Sequence, residues 1–452
     1  MLSSHIDSKQ AKRTREKGKS LSCPSLHHEI YLGPDEIRTC CKRFFVRGEK
    51  RGDVILKNVR PNEIITSDII LEEKRKLYNK INNGEVNHCD GCPFLENKEW
   101  GDLDELSIQH ISFEYHSVCN MKCTYCSDTY HGGLKSQYDV PELFASLLRD
   151  GVLSDCNSVV WGGGESSIGQ NFKELIPQVS ASLNLTSHRV LTNALEYNEE
   201  IKKLLDMGEL SITTSVDAGC EETFASVRGF KGGSGLEKVL SNLARYAGDN
   251  PEKVIIKYIF TNENTSSDEL IGFCNNIKKH ELLGCSFQLS YDFESVNVSL
   301  EDLVSLILLR HKLIEAGVKN VFFDDLLWMR IGTVYEENRE QIDERLSELQ
   351  IREGLADPAG YSKVVVWGAG QLAVDLVTNA FFFKDVNIEF FVDSDPAKWR
   401  TQFLGKDVRS PASLLENDNS IVISAAQYYS NIVESAELLQ IEKSRLIREL
   451  VL

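Results

Sequence analysis

The stretch "CNMKCTYC", residues 119–126, places three cysteines, Cys119, Cys123 and Cys126, within eight residues. A metal held by three protein thiolates keeps one coordination position for a ligand that is not protein. Iron and sulfide form a compact [4Fe–4S] cube that one short loop can hold, whereas zinc sites usually gather ligands from two separated pairs. Packing alone does not cluster free cysteines in this way. The spacing therefore predicts an iron–sulfur cluster with an open iron site, with catalytic zinc as the alternative.

The composition limits the class of protein. At 452 residues the chain exceeds one ordinary domain, and its net charge of −18 argues against a nucleic-acid-binding surface. No apolar window approaches the roughly 20 residues that span a bilayer, and the N-terminus lacks the apolar region of a signal peptide. We expect a cytoplasmic protein with no membrane partner. In that reducing compartment its twelve cysteines indicate metal binding or catalysis instead of disulfides.

Six β-rich runs alternate with amphipathic helical stretches between 108 and 293. They are "ISFEY" (111–115), "SVVWG" (158–162), "HRVLT" (188–192), "LSITTSV" (210–216), "VIIKYIF" (254–260) and "CSFQLSY" (285–291). Strands joined by helices predict a parallel sheet, open or curled into a partial barrel. We expect the fold class to be α/β with a partial (β/α)6 TIM-like barrel, and the functional site to lie at the C-terminal ends of its strands.

Composition and breaker residues predict five segments along the chain. They are a disordered basic tail over 1–20, a Cys-rich domain over 21–105, the barrel over 106–335, a helical linker over 336–360 and a C-terminal α/β domain over 361–452. The tail carries the only basic run, and the linker mixes acidic and basic residues along its length, as a solvated connector does.

The spacing Cys119-x3-Cys123-x2-Cys126, directly after a first strand and with Tyr125 before the last cysteine, resembles the signature of the radical SAM superfamily. The resemblance implies that the amino and carboxylate groups of S-adenosylmethionine chelate the open iron. One electron from the reduced cluster would cleave the sulfonium C–S bond, giving methionine and a 5′-deoxyadenosyl radical that takes hydrogen from the substrate. A flavodoxin or ferredoxin-type protein is the implied electron donor.

Further motifs follow at the strand ends. "GGGE" supplies Gly163, Gly164 and Glu165 and resembles the family's GGE motif, with Ser166 in place of the usual proline. Its glycines allow a close backbone approach, and its carboxylate can pair with the ammonium of the cofactor. Four polar residues end the next two strands and could reach the ribose or methionine moiety: Thr192, Asn193, Ser215 and Asp217. Turn formation or helix capping is the alternative role for them.

A second group of cysteines lies upstream. Four ligands would close a coordination shell: Cys23, one of Cys40 or Cys41, Cys89 and Cys92. Such a closed site is structural or electron-relaying, and zinc and iron–sulfur both fit it. Over about 21–100 the stretch resembles a SPASM auxiliary-cluster domain placed at the N-terminus, which implies a second [4Fe–4S] cluster.

Two more side chains are candidates for catalysis. Cys220 follows "SVDAG" at the end of the fourth strand, where a thiol could return hydrogen to a substrate radical, although a packed thiol is the alternative. Lys257 lies within an apolar strand and could bind a carboxylate of substrate or cofactor, or face a helix at the surface. The three remaining single cysteines are predicted to be core residues: Cys156, Cys274 and Cys285.

The C-terminal ninety or so residues carry a different motif. "VVVWGAGQLAVDLV" places Gly368, Gly370 and Ala373 between strand and helix, and Asp393 ends the next strand, where it could meet a ribose hydroxyl. This order predicts a Rossmann-like unit that binds a nucleotide. It also resembles small nucleotide-binding-like domains found with sugar-modifying and surface-polysaccharide enzymes. A scaffold or dimerisation unit that binds nothing is the alternative.

Together these features predict an enzyme that abstracts hydrogen from a small polar substrate, a nucleotide sugar or polyol. Epimerisation, dehydration and dehydrogenation, in surface-polysaccharide or natural-product metabolism, all stay open. A peptide-modifying radical SAM maturase is a second hypothesis, and a non-catalytic zinc or iron–sulfur assembly protein is a third.

Overall fold

The structure is a computed structural model that describes residues 18–46, 49–101, 103–127, 132–293, 295, 297–351 and 354–452. The chain divides into two compact units, which are described separately. One is Met1–Asn120, Cys126–Thr192 and Asn198–Ile212, and the other is Met121–Tyr125, Asn193–Tyr197 and Thr213–Leu452. Most of the predicted basic tail lies outside the described residues, and Ser20 already belongs to a strand.

The chain is a mixed α/β protein with a large parallel sheet, as expected for a radical SAM partial barrel. The described strands are β1 Ser20–Ser22, β2 Glu29–Leu32, β3 Glu36–Arg38, β4 Arg43–Val46, β5 Glu49–Gly52, β6 Ile55–Asn58, β7 Glu96–Lys98, β8 His110–Phe113, β9 Ser158–Trp161, β10 Ser187–Leu191, β11 Ser211–Ser215, β12 Val254–Phe260, β13 Ser286–Tyr291, β14 Val321–Phe323, β15 Lys363–Trp367, β16 Asn387–Val392, β17 Gln402–Phe403, β18 Lys406–Arg409, β19 Ser420–Ile423 and β20 Leu446–Ile447. The described α-helices are α1 Pro24–His28, α2 Ser67–Asn83, α3 Val140–Arg149, α4 Phe172–Ser182, α5 Glu199–Asp206, α6 Glu221–Arg228, α7 Gly235–Ala247, α8 Ser267–Lys279, α9 Leu300–Glu315, α10 Asp325–Glu348, α11 Gln371–Asn379, α12 Phe382–Asp385 and α13 Tyr429–Leu438.

In the first unit, strands β10, β9, β8 and β2 pair in parallel, and β3 and β6 continue this sheet as antiparallel strands. The ring of Trp161 stacks on Phe113 at 4.3 Å and meets Phe172 edge-on at 5.4 Å. Since Phe172 begins helix α4, this aromatic cluster holds the helix against the sheet. The six strands expected between 108 and 293 are confirmed as β8 to β13.

Helix α3 shows how the local sequence sets these elements. Asp139 accepts a hydrogen bond from the amide of Glu142 and so caps the helix N-terminus. The buried residues lie three, four and seven positions beyond the first of them, on one face: Val140, Leu143, Phe144 and Leu147. This stripe buries one side of the helix and leaves the other to solvent.

In the second unit, β12, β13 and β14 pair in parallel. Tyr258 of β12 lies 4.9 Å from Phe273 of helix α8, and Phe287 of β13 lies 6.2 Å from the same ring. The helix therefore covers one face of these strands. The opposite face carries the residues that alternate with the buried ones.

Helix α10 corrects the expectation of a solvated connector over 336–360. It begins at Asp325, within the range assigned to the barrel, and runs to Glu348. Ile342 and Leu346, one turn apart, are only 0% and 1% exposed. The prediction was wrong for this face because the charged residues between the two apolar positions hid a stripe of helical period.

The C-terminal sheet has the order β17, β18, β16, β15, β19 and β20, with only β17 antiparallel. Val364 and Val366 pack into one core on this sheet, and Val365 and Trp367 pack into another. The predicted strand, glycine turn, helix, second strand and acid occur here in that order. Among the described residues, no helix is both long and apolar enough to cross a membrane.

Candidate active site around the cysteine motif

The GGGE turn after β9 packs on the backbone that leads into Cys119. The amide of Gly164 donates to the carbonyl of His116 at 3.0 Å, and that of Glu165 to the carbonyl of Val118 at 2.9 Å. Gly163 has φ +94°, and a Cβ on Gly164 would lie 2.0 Å from the Val118 oxygen. Gly163 is therefore required by its left-handed backbone, and Gly164 by the close approach of the Val118 carbonyl.

Glu165 is the centre of a buried hydrogen-bond network. Its side chain is 1% exposed, and Oε1 accepts hydrogen bonds from the Thr192 hydroxyl at 2.7 Å and the Ser167 hydroxyl at 2.6 Å. The Ser167 amide donates to the same oxygen at 3.2 Å. Ser166, where the related motif has proline, donates instead to the carbonyl of Leu191 at 2.9 Å. The carboxylate is thus held in one orientation before any ligand binds.

The three cysteines of the motif are free thiols of intermediate exposure. Cys119 and Cys126 fall in the first unit and Cys123 in the second. Among the residues that the structure describes, no three histidine, cysteine or acidic side chains are gathered as a metal site. The donor set itself, three soft thiolates on one short loop, suits an iron–sulfur cluster.

Tyr125 belongs to a buried network in the second unit. Its hydroxyl donates to Asp217 Oδ2 at 2.5 Å, and Arg228 reaches both side chains, with 2.9 Å from Nη1 to the carboxylate. Asp217 Oδ1 accepts from the amide of Ile259 at 2.7 Å. Asp217 itself has φ +60°, which aspartate tolerates better than most residues. Both carboxylate oxygens of Asp217, which was predicted to contact the cofactor, therefore already accept hydrogen bonds from other residues of the protein.

Lys257 lies on the face of β12 that points away from helix α8. Its neighbours Ile256 and Tyr258 are fully buried, whereas Lys257 is half-buried and pairs in register with Gln288 of β13. On the same face the hydroxyl of Ser290 is buried without a hydrogen-bond partner among the described residues. This geometry argues against the alternative of a helix-facing lysine. The face of β12 and β13 opposite helix α8 therefore carries the ammonium of Lys257 together with the polar side chains of Gln288 and Ser290.

Ser215 and Asn193 occupy the strand ends where they were expected. Ser215, the last residue of β11, is half-buried, and the next amide, that of Val216, donates to the carbonyl of Lys257 at 3.0 Å. Ser215 therefore lies beside Lys257 on its sheet. Asn193 Oδ1 accepts from the amide of Leu195 at 2.9 Å, which is the turn-forming role.

Cys220 caps helix α6. Its sulfur accepts from the amide of Thr223 at 3.5 Å and lies 3.5 Å from Glu269 Oε2. These contacts are those of a capping thiol, and its role as hydrogen donor stays a prediction. The core assignment of the other single cysteines is confirmed, because all are buried: Cys156, Cys274 and Cys285.

Four upstream cysteines lie in one apolar cluster of the first unit. Cys23 and Cys89 are buried in it, and Cys40 and Cys92 pack against it. Burial raises the pKa of Cys92 to about 11, and the charges of Cys23 and Cys40 add to this rise. Cys41, in contrast, is exposed and lies outside this cluster of described residues. Cys40, more than Cys41, thus belongs with the other three.

Lys74 is a buried ammonium beside this apolar cluster, and no motif in the sequence marks it. It is 0% exposed and donates to the carbonyls of Leu26 at 2.8 Å and Glu29 at 2.7 Å. Burial lowers its pKa to about 8, while the negative charges of Glu29 and Cys23 oppose the change. The lysine satisfies carbonyl groups at the end of helix α1 and places a positive charge near the thiols.

The C-terminal glycine turn is closed by Asp393. Asp393 Oδ2 accepts from the amide of Ala369 at 2.8 Å and from Lys398 Nζ at 2.9 Å. Gly368, with φ +112°, precedes that amide, and Gly370 begins helix α11 as its N-cap. Burial acts to raise the pKa of Asp393, but these donors outweigh it and hold the pKa below its usual value. The acid therefore stabilises the turn, whatever else it binds.

Arg228 is a second buried cation that was not predicted from the sequence as a site residue. It lies four residues after Phe224 on the buried face of α6, so helical spacing could have identified it as a buried cation. Its partners Tyr125 and Met121 lie more than 100 positions away in the sequence. No local pattern carries that information.

Two family models match the chain. Residues 113–274 match the radical SAM superfamily, and residues 360–447 match a family described as C2185-like, N-terminal. The first match identifies an S-adenosylmethionine-dependent radical SAM domain and confirms that prediction. It covers the cysteine motif, the GGGE turn and the Tyr125 network.

Relatives of this chain carry related names. A probable GTP 3′,8-cyclase of Methanosarcina mazei is 27% identical over 211 residues, covering 43% of this chain and 61% of that protein. A GTP 3′,8-cyclase of Vibrio atlanticus is 26% identical over 187 residues, covering 40% and 54%. The chain thus spans less than two thirds of either relative. Among solved structures, Streptococcus suis SuiB bound to precursor peptide SuiA matches with a TM-score of 0.39 and 13% identity, over 61% of this chain and 57% of SuiB.

Proposed function

We propose that the protein uses its radical SAM domain to abstract hydrogen from a small polar substrate, a nucleotide sugar or polyol. The observation that carries the proposal is the GGGE turn of the radical SAM match, whose backbone hydrogen bonds tie Glu165 to the residues preceding Cys119. An iron–sulfur cluster and S-adenosylmethionine would supply the radical chemistry when bound. The chain supplies ligands, orientation and exclusion of water.

Each residue has a role that follows from its surroundings. Cys119, Cys123 and Cys126 would hold the cluster, because thiolates are the ligands that iron–sulfur clusters use. Glu165, fixed by Thr192 and Ser167, would accept the ammonium group of S-adenosylmethionine through a charge-assisted hydrogen bond.

The face of β11 to β13 supports a polar, anionic substrate. Lys257 lies between Ser215 and Gln288, and the side chains of Lys257 and Gln288 make no hydrogen bond or ion pair to any residue that the structure describes. A half-buried ammonium without a counter-ion is costly, and an anionic ligand that binds beside it would supply that counter-ion. A phosphate or carboxylate of the substrate would fit there.

Two further sites belong to the proposal. Cys23, Cys40, Cys89 and Cys92 would hold an auxiliary cluster that relays electrons, with a flavodoxin or ferredoxin-type donor. Their common apolar cluster supports this assignment. A nucleotide in a Rossmann-like C-terminal domain finds less support, because Asp393 is occupied by the turn.

A second candidate is the cyclisation of a purine nucleotide. It is favoured by the name GTP 3′,8-cyclase that the relatives share, although their identity to this chain is only 22–27%. GTP and a nucleotide sugar are both anionic, and the two candidates differ in whether the nucleotide base takes part in the reaction.

The test is detection of 5′-deoxyadenosine by mass spectrometry from anaerobically reconstituted, reduced protein in heavy water. GTP, nucleotide sugars and polyols are added separately, with Lys257→Met as the variant and the exposed Lys406→Met as its control. Stimulation by a nucleotide sugar that Lys257→Met abolishes supports the first candidate, and stimulation by GTP supports the second. 5′-Deoxyadenosine that none of them stimulates moves a peptide substrate ahead. None at all from iron-replete protein contradicts the proposal.

A further inference from the structure

Arg228 is a buried cation whose guanidinium ends at the cysteine loop. Its side chain is 6% exposed, Nη1 contacts Asp217 and Tyr125, and Nη2 lies 3.8 Å from the sulfur of Met121. Its Nε is buried and has no hydrogen-bond partner among the described residues. A buried donor left unpaired is costly, so an acceptor is expected at this position.

Cys123 is the cysteine of the loop that lies two residues before Tyr125, whose hydroxyl Arg228 contacts. The guanidinium of Arg228 is charged at every pH at which the protein is folded, since arginine does not lose its proton in proteins. Asp217 balances its charge but lies on the Nη1 side.

The loop that carries Cys123 is fastened to the end of helix α6. The amide of Thr124 donates to the carbonyl of Val227 at 2.9 Å. Gly229, with φ +61°, packs so closely that a Cβ there would lie 2.0 Å from the Lys122 oxygen. Arg228 and Cys123 are thus held near each other by the backbone on both sides.

We propose that Arg228 is a positioning residue of the iron–sulfur site, with Nε donating to the Cys123 sulfur or to an adjacent sulfide of the cluster. The inference rests on the proposed function. Hydrogen bonds to the sulfurs and the net charge around a cluster set its reduction potential. A buried N–H donor and a positive charge both favour the reduced state, which carries one more electron. Arg228 therefore raises the potential at which the cluster accepts the electron that the reaction needs.

The test is the midpoint potential of the reconstituted full-length protein, followed by the electron paramagnetic resonance signal of the reduced cluster. Arg228→Gln removes the charge and the donor, and we expect about a tenfold smaller equilibrium constant for one-electron reduction, a shift of about 59 mV to more negative values. Arg228→Lys keeps the charge and should shift less. Asp217→Asn removes the counter-charge and should shift the potential in the opposite direction.

One control separates the local effect of Arg228 from the loss of any positive charge. Arg149→Gln removes the same charge from an exposed position, so it should keep the wild-type potential. Equal potentials in wild type, Arg228→Gln and Asp217→Asn, each with full cluster content, would overturn the role of Arg228 and leave the proposed function standing. Shifts of the same sign in both variants would do the same. If Arg228→Gln does not take up iron, the midpoint potentials of Arg228→Lys and Asp217→Asn test the inference in its place. Wild-type protein that binds no iron or sulfide overturns the proposed function as well.

Discussion

The hydroxyl of Thr192 donates a hydrogen bond of 2.7 Å to the carboxylate of Glu165, although the two residues follow different strands and lie 27 positions apart. Both are nearly fully buried, at 5% and 1% exposure. Thr192 was expected to contact the cofactor directly. The hydrogen bond gives it a second role, because it fixes the orientation of the carboxylate that would meet the ammonium group.

Thr192→Val should therefore weaken the binding of S-adenosylmethionine without removing its ionic partner. A hydrogen bond to a charged group contributes about 1.5–3 kcal/mol, so we expect a dissociation constant about 10- to 150-fold higher. Glu165→Gln should have a larger effect, since it removes the charge. Anaerobic isothermal titration calorimetry on reconstituted protein measures both. The exposed Ser182→Ala is the control, and equal affinity in all variants would contradict this role of Glu165.

The pair Cys40 and Cys41 gives a second prediction, because only one of the neighbours should be a ligand. If both sites hold [4Fe–4S] clusters, the wild type carries about eight iron atoms per chain. Cys40→Ser should lower this to about four, whereas Cys41→Ser should leave it unchanged. Iron, zinc and sulfide content after anaerobic purification gives the answer. Zinc without sulfide in the wild type would indicate a structural zinc site, and equal loss in both variants would contradict the selection of Cys40.

The strands show which parts of the fold can be predicted from the sequence. The alternation in "VIIKYIF" becomes strand Val254–Phe260, in which every second residue is buried. The run is short and apolar, and turn-forming residues follow it, so local preference and packing agree. The same holds for the GGGE turn, where a left-handed glycine and a close backbone contact leave room for no other residue.

The rest depends on contacts that no local pattern encodes. Arg228 meets Tyr125 across 103 positions, and Lys74 meets Leu26 across 48. For the same reason Asp393 was expected at a ribose, although the turn itself occupies its carboxylate. A sequence motif identifies a residue type at a strand end, and only the fold shows which partner it already has.

Asp393 provides a third prediction, of a structural role. Asp393→Ala leaves the amide of Ala369 and the ammonium of Lys398 without their acceptor, so the free energy of unfolding should fall by about 1–3 kcal/mol. Urea unfolding followed by circular dichroism measures the change, with the exposed Asp418→Ala as the control. Binding of NAD+ and UDP-glucose is titrated in parallel. Loss of nucleotide affinity with unchanged stability would restore the ribose-binding role.

His188 gives a prediction of pH dependence. Trp161 Nε1 donates to His188 Nε2 at 2.9 Å, and burial lowers the pKa of this histidine from 6.5 to about 4. Since the indole N–H occupies Nε2, the folded protein holds the imidazole neutral. The unfolded chain takes up a proton near pH 6.5, but the folded protein does so only near pH 4. The stabilising contribution is therefore complete above pH 6.5 and is lost as the pH falls toward 4, to a total of about 3 kcal/mol.

The measurement that isolates this contribution compares wild type with His188→Gln, which keeps an acceptor for Trp161 but cannot titrate. Other groups titrate in both proteins and cancel in the difference. The free energy of unfolding of the wild type minus that of the variant should therefore shrink between pH 6.5 and 4 by up to about 3 kcal/mol. The same difference measured between pH 7.5 and 8.5, where the imidazole of His188 is neutral in both states, should stay constant and serves as the control. A difference that stays constant over this window would mean that His188 is already charged in the folded protein, and the hydrogen bond from Trp161 would then have to be replaced by another contact.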